Sequence, residues 1–131
     1  MIKGIDPRKG NKTIKSIRPW GNIHMLVRNQ KCSVDLTHIK PGERSSLHSH
    51  KVRYELFHFL DDGAYLEIDG EIFRPKAHEE FMLEPGMKHR FWAIENDFRM
   101  VVVCFGEWTA EDQVRHKDDY GREGTALNLD E

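Results

Sequence analysis

The chain has 131 residues, a formal net charge of −2 and two cysteines, a size that supports one domain around a single core and leaves no room for a second catalytic domain. So small a net charge offers no field to recruit nucleic acid or an anionic membrane, and Cys32 and Cys104 lack the spacing of a zinc clip or a secreted disulfide framework, so buried free thiols are expected. The longest apolar run, Met100 to Phe105, is far short of a membrane span and no apolar segment opens the chain, so a cytoplasmic protein without membrane contact is expected.

Residues 1–17 are polar and basic, with Lys3, Arg8, Lys9, Lys12 and Lys15 against Asp6 alone, and their lack of period reads as an arm. Arg18-Pro19-Trp20-Gly21 suggests a turn fixed by a buried ring. From Lys31 to Ile39, Cys32, Val34 and Leu36 alternate with Lys31, Ser33, Asp35 and Thr37, the pattern of a half-buried strand that Pro41-Gly42 ends. Short strands are then expected over Ser45–His50, Glu55–Leu60, Ala64–Ile68, Glu71–Arg74, Glu80–Leu83, His89–Ile94 and Phe98–Phe105. Asp69-Gly70 between two of them is the signature of a two-residue hairpin, because both positions tolerate positive φ. Thr109 to Lys117 reads as a short C-terminal helix, with Thr109 as N-cap and Asp112 three residues on. Residues 123–131 form a tail. Many short strands with turns between them indicate an all-β antiparallel sandwich or barrel. Apolar residues that alternate outward, namely Leu56, Trp92 and Val102, point to a homodimer.

The chemistry concentrates between Pro41 and Glu55. His48 and His50 are two apart, which on a strand turns both side chains to one face, and Glu55 follows closely. Imidazole and carboxylate suit a divalent ion such as Zn, Mn, Fe, Co or Ni, and three ligands leave its coordination incomplete. His89, opening a later strand, is the candidate fourth ligand. His24, His38, His58 and His116 have no partner spacing and read as surface or packing residues, while His78 could line the barrel mouth.

The segments G-x5-H-x-H-x4-E and G-x2-H, falling on Gly42, His48, His50, Glu55, Gly86 and His89, resemble the cupin superfamily. The resemblance implies a small double-stranded β-helix, or jelly-roll barrel, holding a metal with three His and one Glu. More narrowly, residues 18–122 look like the cupin domain at the C-terminus of type II phosphomannose isomerases, the mannose-6-phosphate isomerase / mannose-1-phosphate guanylyltransferase proteins. Arg18-Pro19-Trp20-Gly21, Ser46-Leu47, Arg53, His89-Arg90, Glu111-Asp112, Arg115, Asp118 and Tyr120-Gly121-Arg122 carry that likeness in order. The pattern departs at His48, where the family commonly has Gln, and at Phe57, where it commonly has Trp. The nucleotidyltransferase half is absent.

The likeness implies a metal-dependent isomerase interconverting mannose-6-phosphate, or a related aldose phosphate, and fructose-6-phosphate through an enediol. The expected partner is therefore a small sugar phosphate. Two alternatives share the ligands: a cupin dioxygenase acting on a small organic substrate, and a non-catalytic sugar-binding module. Arg53 and Glu55 are the candidate catalytic residues. Arg53, of the same strand parity as Glu55, would grip phosphate through a planar guanidinium or else hold Glu55 in place. The proton-shuttling base is open among Glu55, His78 and Glu80. Phe57, Phe59, Leu66, Phe91 and Ala93 are expected to line the interior, Arg90 and Lys88 the rim, and Asp118, Tyr120 and Arg122 to clasp Arg18 and Trp20.

Overall fold

A computed structural model describes residues 13–124. The strands, in chain order, are β1 (Ile14–Arg18), β2 (Gly21–Met25), β3 (Cys32–Ile39), β4 (Leu47–His50), β5 (Glu55–Phe59), β6 (Ala64–Ile68), β7 (Glu71–Phe73), β8 (Glu80–Leu83), β9 (His89–Ala93), β10 (Phe98–Phe105) and β11 (Gln113–Lys117). They form a four-stranded sheet in the order β3-β10-β5-β8, a five-stranded sheet in the order β11-β4-β9-β6-β7, and the separate hairpin β1-β2. Every named pairing is antiparallel. The main core lies between the two larger sheets, drawing Phe57, Phe59, Leu83, Phe98, Met100 and Val102 from one and Ala64, Leu66, Ile68, Phe91 and Ala93 from the other. This is the jelly-roll barrel expected of the chain, with the five expected lining residues all inside it.

β5 is buried on both faces, which explains its unbroken apolar and aromatic run. Beneath it, Phe57 and Phe59 enter the main core; above it, Leu56 joins Val103 and Phe105 in a second cluster covered by Leu26, Val27, Tyr54 and Met82. Leu56 and Val102 are therefore not outward residues: they are 1% and 7% exposed, and Trp92 is half-buried, stacked on Tyr65 at 5.4 Å. The outward apolar pair is instead Val34 and Leu36. They oppose Val103 and Val101 and continue the outer face of the sheet, so the alternation of β3 faces outward.

The β6–β7 turn forms as its sequence requires, with Asp69 at φ 48° and Gly70 at φ 86°. The Asp69 carboxylate also accepts the Lys88 N–H at 2.9 Å, tying the turn to the approach to β9.

Three expectations need correction. The helix over Thr109–Lys117 is a single 3-10 turn, Ala110–Asp112, followed by β11. Thr109 makes no side-chain cap, and Asp112 turns away to accept the N–H groups of Lys51 (3.1 Å), Val52 (2.8 Å) and Arg53 (3.3 Å). The residues after it satisfy the open edge of β4, through Gln113↔His50, Val114↔Ser49 and Arg115↔His48, and that ladder outcompetes a helix. The turn at Pro19-Trp20 joins β1 to β2 as expected, but the ring is 72% exposed, and strand begins at Ile14, inside the segment read as an arm. The closing segment clasps Glu43 and Arg44, not Arg18 and Trp20: Tyr120 Oη donates to Glu43 Oε2 at 2.5 Å and Arg44 pairs with Asp119. Asp118, meanwhile, receives Arg122 at 2.9 Å. Residues 1–12 and the tail from 125 lie outside the described residues. No helix among the described residues is long and apolar enough to cross a membrane.

Candidate metal centre

His48 and His50, alternate residues of β4, both point inward, and β4 pairs with β9 so that His48 lies directly opposite His89. One ring nitrogen from each of the three comes within 4.8 Å of the other two. Glu55, at the start of β5, closes the group from the facing sheet: its Oε1 lies 2.9 Å from His50 Nε2 and 3.5 Å from His89 Nε2. All four are shielded from water, His48 at 8%, His50 at 4%, Glu55 at 6% and His89 at 1% exposure. Phe57 forms the floor, its ring centroid 5.6 Å from that of His89.

The far nitrogens are anchored. His48 Nδ1 faces the Ser46 carbonyl at 2.9 Å and His89 Nδ1 the Met87 carbonyl at 3.0 Å; a carbonyl only accepts, so each ring carries its proton there and keeps its Nε2 lone pair for the centre. His50 is held differently. Arg53 Nε donates to its Nδ1 at 3.0 Å, which with a neutral ring leaves the proton on Nε2, facing Glu55. To ligate a metal through Nε2 the proton must sit on Nδ1, which requires Arg53 Nε to turn from His50 to Asp112 Oδ2, 3.2 Å from it.

The electrostatics favour a ligand set. Burial and the neighbouring His89 push His48 well below its ordinary pKa, keeping it a neutral donor. Burial opposes the ionisation of Glu55, but the two imidazoles beside it, His50 and His89, outweigh it and hold the carboxyl well below its usual range. Its second oxygen accepts the Cys104 thiol at 3.2 Å, and burial holds that thiol well above its ordinary pKa, so it remains a donor. His50 Nε2 and His89 Nε2 are buried without a well-directed hydrogen bond. Buried nitrogens converging in this way on an ionised carboxylate fit a divalent ion, which would satisfy them together.

All four sequence-identified ligands thus come together. Arg53 is buried beside them and contacts His50, Asp112 Oδ2 at 3.2 Å, Cys104 Sγ at 3.7 Å and the Trp108 ring at 5.4 Å. His78 and Glu80 are not part of the centre: they lie with His58, whose side chain leaves β5 on the face opposite Glu55. Arg90 is buried rather than at the rim. Sequence reasoning missed Asp112, Cys104 and Ser46 as supports of the ligands. Cys104 was within reach, since it shares the inward parity of Met100 and Val102 and is the register partner of Glu55.

A buried set of three histidines and one glutamate inside an antiparallel jelly roll defines a cupin. Comparison with known proteins refines the class. The chain belongs to the family described as "Mannose-6-phosphate isomerase C-terminal", whose model matches residues 6–119. It is 27% identical over 110 residues to the mannose-1-phosphate guanylyltransferase of Klebsiella pneumoniae, with 80% of this chain and 23% of that protein covered. It is 30% identical over 110 residues to the corresponding protein of Salmonella montevideo, with the same coverage. The chain therefore spans about a quarter of the length of these curated relatives. Among solved structures, ChmJ, a 3′-monoepimerase from Streptomyces bikiniensis in complex with dTDP-quinovose, superposes with a TM-score of 0.65 at 11% identity, covering 80% of this chain and 67% of that one. A dTDP sugar isomerase from Desulfovibrio desulfuricans gives 0.63 at 12% identity, with 82% of each covered. At such identities these two likenesses concern the fold.

Proposed function

We propose that the chain is a metal-dependent isomerase that interconverts mannose-6-phosphate, or a related aldose phosphate, and fructose-6-phosphate. The observation that carries this reading is the convergence of the buried, unsatisfied Nε2 atoms of His50 and His89 on Glu55, in a chain of the mannose-6-phosphate isomerase C-terminal family. His48, His50, Glu55 and His89 would hold the ion. When bound, it supplies Lewis acidity toward the negative charge that gathers on a sugar carbonyl oxygen as a proton moves between C1 and C2. The chain's own residues prepare the place. Ser46 and Met87 orient His48 and His89, Cys104 fixes one oxygen of Glu55, and Phe57 excludes water beneath them. The low pKa of Glu55 suits a ligand and makes it a weak base. Arg53, spent on His50 and Asp112, acts as a positioning residue for the ligands rather than as a grip on phosphate.

One observation favours a second reading. The four ligands are almost wholly buried and Arg53 is already paired, as in a sugar-binding module that needs no free base. Metal analysis of the purified protein, followed by a coupled mannose-6-phosphate to fructose-6-phosphate assay with Zn, Co, Mn or Ni, separates the two. Turnover with at least one metal is expected, lost together with the bound metal in Glu55→Gln. No turnover with any of them removes the isomerase, and retained sugar-phosphate binding then supports the module. Oxygen uptake by an Fe-loaded sample would instead point to the dioxygenase.

A further inference from the structure

A second trio of histidines lies on the outer face of the sheet, away from the centre just described. His24 comes from β2, His58 from β5 and His78 from the loop before β8, three segments with no common spacing. One ring nitrogen of each comes within 4.8 Å of the other two. The ring centroids are 5.5 Å apart for His24 and His58, 4.7 Å for His24 and His78, and 5.8 Å for His58 and His78.

Two further observations give the trio the character of a ligand set. His58, 3% exposed, presents its Nδ1 to Glu80 Oε2 at 3.0 Å. A carboxylate only accepts, so the ring proton is fixed on Nδ1 and the Nε2 lone pair is left for the other two rings, the carboxylate–histidine arrangement that supports metal ligands. Glu80 is itself held by Thr13 Oγ1 at 2.8 Å. His78 is set by its backbone, at φ 72°, a conformation that residues other than glycine seldom adopt. The loop around it is pinned: its N–H donates to the Phe59 carbonyl at 2.6 Å, Ala77 N–H to Asp62 Oδ1 at 2.8 Å and Lys76 N–H to Glu79 Oε1 at 2.8 Å. Aliphatic side chains would pack a hairpin onto a sheet without three imidazoles gathered in one place.

We propose that His24, His58 and His78 form a second metal site, taking an imidazole-preferring divalent ion such as Zn(II) and fastening the β1–β2 hairpin to the outer face of the β3-β10-β5-β8 sheet. Three imidazole nitrogens match the preference of Zn(II), and the exposed side of His78 leaves the remaining position to water. Because the ligands come from three distant segments, the ion would tie the hairpin to the sheet beside the Thr13–Glu80 hydrogen bond.

The test is a Zn(II) titration of metal-stripped protein, read by chelator competition. Two equivalents are expected. His78→Asn, chosen because His78 is exposed and Asn tolerates positive φ, should remove one equivalent, and so should His24→Ala. Glu55→Gln should remove the other and leave the outer site filled, so the two sites fail separately. In the Glu55→Gln background, Zn(II) should raise Tm, and adding His78→Asn should abolish that rise. Glu80→Gln should weaken the outer equivalent about 10- to 100-fold. A stoichiometry that His78→Asn and His24→Ala both leave unchanged overturns the proposal, whatever happens at Glu55.

Discussion

The two histidine trios use the same side chains on opposite faces of one strand, β5, and differ in how they are held. Inside, each ring has a fixed partner on its far nitrogen, the Ser46 and Met87 carbonyls and the Arg53–Asp112 pair, and all are cut off from water. Outside, one ring is fixed by Glu80, one by a strained backbone, and only His58 is fully buried. A carboxylate on the inside joins the ligands directly, whereas on the outside it stands behind one of them. The inner centre is thus pre-organised by the barrel; the outer one draws its order from a loop and a hairpin, and gives back stability when filled.

The largest effect should come from loosening the inner support. Asp112, itself buried, accepts three backbone N–H groups and the buried Arg53 guanidinium. Asp112→Ala leaves a buried arginine uncompensated, which costs about 3–5 kcal/mol, or a fall in Tm of about 10–20 °C for a chain of this size. A loss well below 1 kcal/mol would mean that water takes over the role of Asp112 and that the inner trio is no better held than the outer.

The next effect is a pH dependence that separates the faces. The folded pKa of His48 lies well below its ordinary 6.5, so below pH 6.5 the unfolded chain takes up a proton that the native state refuses. Stability of the metal-free protein therefore falls as the pH drops below 6.5, with a slope of at most about 1.4 kcal/mol per pH unit from this group. Below pH 4.5 the depressed carboxyl of Glu55 adds a loss of the same sign, since it stabilises the native state only when ionised. Denaturant unfolding against pH should show His48→Gln flattening the upper part of this profile. His24 is shifted in the same direction but sits near solvent, so His24→Gln should change the slope far less.

The inner face was legible in the sequence because its ligands repeat at strand spacing within one short segment; Asp69-Gly70 likewise marks the turn that pairs β6 with β7. Asp112 was misread for a physical reason: Thr109 to Asp112 has the spacing of a capping box, yet the carboxylate serves N–H groups about sixty residues earlier, and only the fold brings them together. β1 stayed hidden because it is largely exposed and carries no alternation. The outer trio gave no motif at all, since its three members come from separate segments and meet only when the hairpin lies on the sheet.

The smallest effect concerns the apolar side chains of the same outer face. Val34 and Leu36 are 62% and 69% exposed although their alternation reads as a core face. In a monomer they contribute almost nothing to folding, and threonine keeps the β-branching a strand prefers. The double variant Val34→Thr/Leu36→Thr should then change stability by no more than about 0.5 kcal/mol. If a second copy of the chain covers β3, the variant should instead lower Tm in a concentration-dependent way and shift the sedimenting species toward monomer. The outer face would then resemble the inner one in being buried, with its burial supplied by association rather than by the barrel.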